Sequence, residues 1–133
     1  MMRKLKLQVQ ISLDGYIAGP NGEMDWMVWN WDDKLIQYVT ALNETFDCIL
    51  LGRKLAEGFI PHWANVAVNP EDTEHTAGKV FNDTYKIVFT KTLNPTNPMV
   101  MGCKNNVLAK DDLVTKVTKL KSQEGKDIIA YCG

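Results

Sequence analysis

Three cysteines in 133 residues, at positions 48, 103 and 132, are odd in number and never fall in a Cys-x-x-Cys spacing. That argues against a disulfide framework or a zinc site and fits a reducing, cytoplasmic setting. Charge of one sign is missing too. Fifteen Lys and Arg against sixteen Asp and Glu leave a formal net charge of -1, without the basic excess of a general nucleic-acid binder. No apolar run is long enough to span a bilayer, and Met1 to Lys6 carries no signal core. Gly-x-Ser-x-Gly, His-Glu-x-x-His and P-loop patterns are all absent. His62 and His75 have no third ligand at helical or hairpin spacing, so no metal site is expected. These absences leave one soluble domain over residues 1–133, with neither a membrane nor a nucleic-acid partner expected.

What is present is patterning. Leu5, Leu7, Val9, Ile11 and Leu13 alternate with Lys6, Gln8, Gln10 and Ser12, which predicts a strand with its apolar face in the core. The next nine residues, Asp14 to Gly22, hold three glycines, a proline and an asparagine, so they read as a long loop. Such loops in compact domains are usually functional. Trp26, Trp29 and Trp31 follow within six residues. Indole offers stacking area at low entropic cost, so they suit either a lid over a flat substrate or a plug closing one end of the sheet. Asp32 suits the N-cap of a helix reaching about Thr45, with Leu35, Val39, Leu42 and Phe46 as its apolar stripe.

Cys48 to Leu51 is a short apolar run, right for a strand buried on both faces. It hands over through Gly52, which permits a sharp turn, to Arg53 and Lys54 at the start of a helix. Unpaired N–H groups there, beside an arginine, favour an anion such as phosphate. The alternative is an ordinary strand-to-helix turn with a solvated arginine. A short helix over Leu55 to Phe59 is expected to stop before Pro61. Irregular chain is expected from there to Asp83. Tyr85 to Phe89 reads as a strand ending on Thr90-Lys91-Thr92, a second hydroxyl-and-ammonium cluster suited to phosphate or simply to a polar strand end. A weak strand over Asn106 to Ala109 follows. A helix then starts at Asp111 or Asp112 and closes at Gly125, before a buried strand from Asp127 to Tyr131. Strand, helix and strand make a βαβ unit, so the fold class is α/β with an at least partly parallel sheet.

Ser12-Leu13-Asp14-Gly15-Tyr16-Ile17-Ala18, then Leu51-Gly52-Arg53-Lys54, Tyr85 to Thr90 and Gly125-Lys126-Asp127-Ile128 occur in an order that resembles the dihydrofolate reductase-like superfamily. The chain is most similar to the branch related to the reductase domain of riboflavin biosynthesis. That resemblance implies a three-layer α/β/α sheet, mixed and mostly parallel, missing the family's last helix and strands. It implies NADPH as cofactor and hydride transfer to a pteridine-like or pyrimidine-ribitol-like substrate. It places Arg53 at the adenosine 2′-phosphate, with Thr90, Lys91 and Thr92 in the same pocket and Gly52 and Lys54 beside it. Ile17 and Ala18 would border the nicotinamide, Cys132-Gly133 would stand at the family's glycine pair, and Asp14 or Asp32 would supply a proton. Leu55 departs from the threonine that commonly follows this turn, and Cys132 replaces a glycine. Those departures keep open a second expectation, a shortened non-catalytic relative acting as an assembling or nucleotide-binding module. An uncovered first strand would favour a homodimer or higher assembly.

Overall fold

The computed structural model describes residues 2–27, 30–98 and 105–132, with Cys132 described in its backbone only. Trp29 and Gly133, both expected at the site, lie outside the described residues. The elements are β1 (Leu5–Val9), α1 (Asp33–Asn43), β2 (Phe46–Gly52), α2 (Arg53–Ala67), α3 (His75–Asp83), β3 (Tyr85–Phe89), β4 (Asn106–Ala109), α4 (Leu113–Ser122) and β5 (Asp127–Cys132). The strands form one sheet in the order β1-β5-β2-β3-β4, and all four pairings are parallel. This is the α/β architecture expected, and it has three layers. Leu42 of α1, Ile60 and Trp63 of α2 and Phe81 of α3 pack with Ile49, Leu51, Val88 and Ile129 on one face. Val117 and Leu120 of α4 pack with Cys48, Leu50, Ile87 and Ile128 on the other. No described helix is long and apolar enough to cross a membrane.

β2 and β3 form the core because their side chains are apolar on both faces. Cys48, Ile49, Leu50 and Leu51 are buried in succession, as are Ile87 and Val88. Lys86 is the exception, 1% exposed, and its ammonium donates to the carbonyls of Phe81, Asn82 and Thr84. It thereby satisfies acceptors at the end of α3, where a cation is favoured. At the amino edge of the sheet, Arg3 is buried, pairs with Asp47 and donates to the carbonyls of Leu120 and Lys126.

Three sequence expectations are corrected. The first strand ends at Val9, not Leu13: its register with β5 runs from Leu5 opposite Ile128 to Val9 opposite Cys132, and the chain turns at Ser12 to Gly15, where Gly15 N–H donates to Ser12 O at 3.0 Å. Its apolar face is also not in the core: Leu5 is 46% and Leu7 66% exposed. Leu5 and Leu7 share the α4 face with Ile128 and Ala130, but α4 packs over β5, β2 and β3 and leaves the edge strand uncovered. The second correction concerns Pro61, which sits inside α2. Ile60 and Val66 are buried at about 1.5–3 kcal/mol each, and Ala56, Phe59 and Trp63 add to them. Together they outweigh the roughly 3 kcal/mol that an interior proline costs. The stretch expected to be irregular up to Asp83 is therefore irregular only over 68–74, between the last two turns of α2 and α3. The third concerns Gly125, which lies beyond the end of α4 at Ser122. It is required instead by a positive φ of 150° and by Asp47 Oδ2, which would sit 2.8 Å from an added Cβ.

Candidate functional site

β2 ends at Gly52 and α2 begins at Arg53 with no side-chain cap. The N–H groups of the first turn of α2 therefore keep their capacity to bind an anion. Gly52 has φ -78° and ψ 162°, a conformation open to any residue, so the turn does not need glycine's freedom, contrary to expectation. What the glycine provides is space, since an added Cβ would meet nothing within 4 Å.

β3 and β4 finish level. Phe89 pairs with Ala109, and Thr90 N–H donates to Ala109 O at 3.1 Å. Residues 90–92 therefore lie beside residues 110–113. Thr90 is buried, and its hydroxyl accepts from the N–H groups of Thr92 and Leu93, both at 3.1 Å, which fixes the turn. A cavity of about 730 Å³ opens here. Arg53 borders it from α2, Thr90, Lys91 and Thr92 from the end of β3, and Lys110, Asp111 and Asp112 from the end of β4. α2 leaves toward one face of the sheet and α4 toward the other, and crevices for ligands form where connections diverge in this way. The two clusters that the sequence offers separately are thus brought together. Lys54 is exposed and does not border the cavity.

Charge in this cavity is partly committed. Arg53 Nη1 lies 2.9 Å from Glu57 Oε1, one helical turn on, with the side chains 38% and 46% exposed. The spacing of four residues was a readable signal for this pair. Asp112 is the N-cap of α4 and accepts from Thr115 N–H and its hydroxyl. The bond from the Thr115 N–H, with that from its hydroxyl, holds the Asp112 carboxyl below the usual carboxylate range.

A second cavity of about 910 Å³ runs along β1. Lys6 and Gln8 border it from β1, Gln10 from just beyond the strand's end, Trp26 and Trp31 from the loop, and Leu35 and Tyr38 from α1. Polar amides thus face an apolar and aromatic wall. Lys6 is tied to Asp127 at 3.1 Å and to Thr45 at 2.9 Å. Neither cavity is bordered by Asp14, Ile17, Ala18 or Asp32. Asp14 accepts from Ser12 Oγ at 2.6 Å in a tight turn, and Asp32 caps α1 by accepting from Leu35 N–H at 2.8 Å. Leu55 packs against the core of the α2 face. The two histidines have local partners: His62 meets the Trp63 ring edge-on, and His75 Nδ1 lies 3.1 Å from Val66 O.

Comparison with known proteins bears on what this arrangement is. A family model described as RibD C-terminal domain matches residues 3–133. A curated relative from Bacillus subtilis (strain 168), "Uncharacterized protein YyaP", is 33% identical over 133 residues. The match takes in 98% of this chain and 63% of that protein, so the chain spans less than two thirds of its relative's length. Among solved structures, a putative riboflavin biosynthesis protein from Shewanella sp. PV-4 aligns over 99% of this chain and 65% of its own, with TM-score 0.56 and 22% identity. A diaminohydroxyphosphoribosylaminopyrimidine deaminase/5-amino-6-(5-phosphoribosylamino)uracil reductase from Thermotoga maritima aligns over 99% of this chain and 39% of its own, with TM-score 0.58 and 20% identity. At those identities the two structures speak for the fold alone. The family match extends over nearly every residue, and on that ground the chain belongs to the RibD C-terminal domain family, within the dihydrofolate reductase-like proteins.

Proposed function

We propose that this chain is an NADPH-dependent reductase that transfers a hydride to a pteridine-like or pyrimidine-ribitol-like substrate. The observation that carries the reading is the pairing of two cavities of opposite character on one sheet. One carries three basic and two acidic side chains, at the carboxyl ends of β2, β3 and β4; the other is aromatic and amide-lined, along β1. A dinucleotide fits the first on local grounds. Gly52 leaves open space, α2 has an uncapped first turn, and Arg53, Lys91 and Lys110 border the opening, with Asp111 and Asp112 on the β4 side. NADPH, when bound, supplies the hydride. Arg53 and the Thr90 to Thr92 turn orient the phosphate end. Trp26 and Trp31 give a flat substrate a stacking surface and exclude water, while Gln8 and Gln10 offer amides to the edge of its ring.

A second reading, a nucleotide-binding relative without turnover, is favoured by one feature. Among the described residues, no carboxylate borders the β1 cavity to deliver a proton. One experiment addresses both readings: thermal unfolding with NADPH, followed by NADPH absorbance with reducible pteridines and aminopyrimidines. NADPH at a hundredfold excess over its Kd is expected to stabilise by about 2.7 kcal/mol. No shift at millimolar NADPH rejects the proposal, whereas a shift without oxidation of NADPH by any such substrate selects the second reading.

A further inference from the structure

The cavity along β1 is short of charge. Among the described residues Lys6 is the one charged side chain that borders it; Gln8 and Gln10 are neutral amides, and the remaining wall is apolar or aromatic. Lys6 is itself compensated. Its ammonium lies 3.1 Å from Asp127 Oδ2 and donates to Thr45 Oγ1 at 2.9 Å, with the Lys6 and Asp127 side chains 30% and 25% exposed. Lys4 N–H donates to the other Asp127 oxygen at 2.9 Å. That bond, with the one from Lys6, holds the Asp127 carboxyl below the usual carboxylate range. Asp127 is therefore ionised at neutral pH, and the pair it makes with Lys6 has no net charge. Lys4 and Lys126 are the neighbouring cations, but neither borders the cavity, and the Lys126 ammonium donates to Glu44 O at 3.1 Å.

Resting on the reductase reading above, we propose that the β1 cavity takes a flat heterocycle with a neutral, hydroxyl-bearing tail and turns away the phosphorylated counterpart, and that Asp127 sets this choice by neutralising Lys6. Lys6 and Gln8 share a face because alternate residues of a strand do, and their register partners on β5, Ile129 and Tyr131, pack in the core on that face. A hydride arrives from the carboxyl ends of the strands, so the ring to be reduced lies by Gln8, Gln10 and Trp26. A substituent on that ring then runs toward the amino end, where Lys6 stands about 7 Å before Gln8 along β1. An ammonium has three N–H groups. Asp127 and Thr45 take two, which leaves one for a hydroxyl or carbonyl of the tail. A terminal phosphate asks for more. It must draw Lys6 off Asp127 or lie close to that carboxylate, and either costs attraction that a neutral tail keeps.

The test is calorimetric titration, at saturating NADPH, with two ligand pairs that differ only by a phosphate: neopterin against neopterin 3′-phosphate, and uridine against uridine 5′-monophosphate. Wild type is expected to bind the neutral member of at least one pair about fivefold or more tighter than its counterpart, the size of one unit-charge repulsion at about 4 Å in water. Asp127→Asn keeps an oxygen for the Lys4 N–H and releases Lys6 from its ion pair. It is expected to strengthen the phosphorylated member about tenfold, the lower end for a charge-assisted hydrogen bond, and so to reverse the order. A wild-type chain that prefers the phosphorylated members, or binds neither member of either pair, overturns the proposal. An order that Asp127→Asn leaves as in wild type removes Asp127 as its cause, and the wild-type order remains a test even if that variant does not fold. The thermal shift with NADPH alone involves none of these ligands. A shift together with failed pairs overturns this inference and leaves the cofactor reading standing, whereas no shift overturns both.

Discussion

Two glycines in neighbouring helices should respond oppositely to the same substitution. Gly58 lies within α2 and Gly78 within α3. Glycine in a helix interior costs roughly 0.5–1 kcal/mol relative to alanine, so propensity alone makes either change to alanine stabilising. A Cβ on Gly58 meets nothing within 4 Å, so Gly58→Ala should gain about that amount. A Cβ on Gly78 would lie 2.5 Å from Val66 Cγ1, 2.9 Å from Val66 Cβ and 3.1 Å from the Ala67 backbone nitrogen. Val66 is buried, branched at that carbon and part of α2, so it cannot turn aside, and α3 must move off α2. Overpacking of this kind costs typically 1–3 kcal/mol, which exceeds the propensity gain. Gly78→Ala should therefore be destabilising by about 1–2 kcal/mol net, in spite of better helix propensity. Urea unfolding of wild type and the two single variants measures both signs in one series. Equal stabilisation by both alanines would refute the close packing of α3 on the carboxyl half of α2.

Cys48 is 2% exposed, and burial pushes its thiol up to about 11 from an ordinary 9.0. Folding then favours the protonated thiol, so this contribution is complete below about pH 9 and is lost as the pH rises toward 11. Stability should fall more gently over that window in Cys48→Ala than in wild type, and peptide mapping after iodoacetamide should find Cys48 unmodified in the native protein at neutral pH. An alkylated native Cys48 would contradict its burial. We further propose that β1, which pairs only with β5 among the described residues and exposes Leu5 and Leu7, joins a second copy of the chain. Light scattering at micromolar concentration should report a dimer or larger species, and Leu7→Lys should shift it toward monomer; a wild-type monomer sinks the idea.

Much of the fold was legible because local signals agreed with the tertiary outcome. The apolar run at Cys48 to Leu51, the Asp32 cap and the weak strand at Asn106 all coincide with β2, α1 and β4. Where reading failed, a non-local term outweighed a local one. Pro61 is a local stop signal, and the apolar face formed by Ala56, Phe59, Ile60 and Trp63 overrides it only because β2 and β3 are there to receive that face. The alternation from Leu5 to Leu13 is a sound strand signal, yet it cannot report which face of the sheet a single helix will cover.

The site divides along the same line. Arg53 was legible because its strand-turn-helix setting is contiguous in sequence, and Thr90 to Thr92 because hydroxyls and an ammonium crowd one strand end. Lys110 was not, since nothing in Ala109-Lys110-Asp111 differs from an ordinary surface turn until β3 and β4 are laid in register. Glu57 had a signal, its distance of four from Arg53, but the sign of its effect required the cavity. A carboxylate four residues along is merely a helix-stabilising pair on a free surface, and a competitor for the guanidinium only when that arginine faces a site. The proposed phosphate site therefore draws on residues from three strand ends whose meaning is set by pairing. A motif reading confined to Leu51-Gly52-Arg53 finds the place without finding Lys110, Asp111 and Asp112 across the opening.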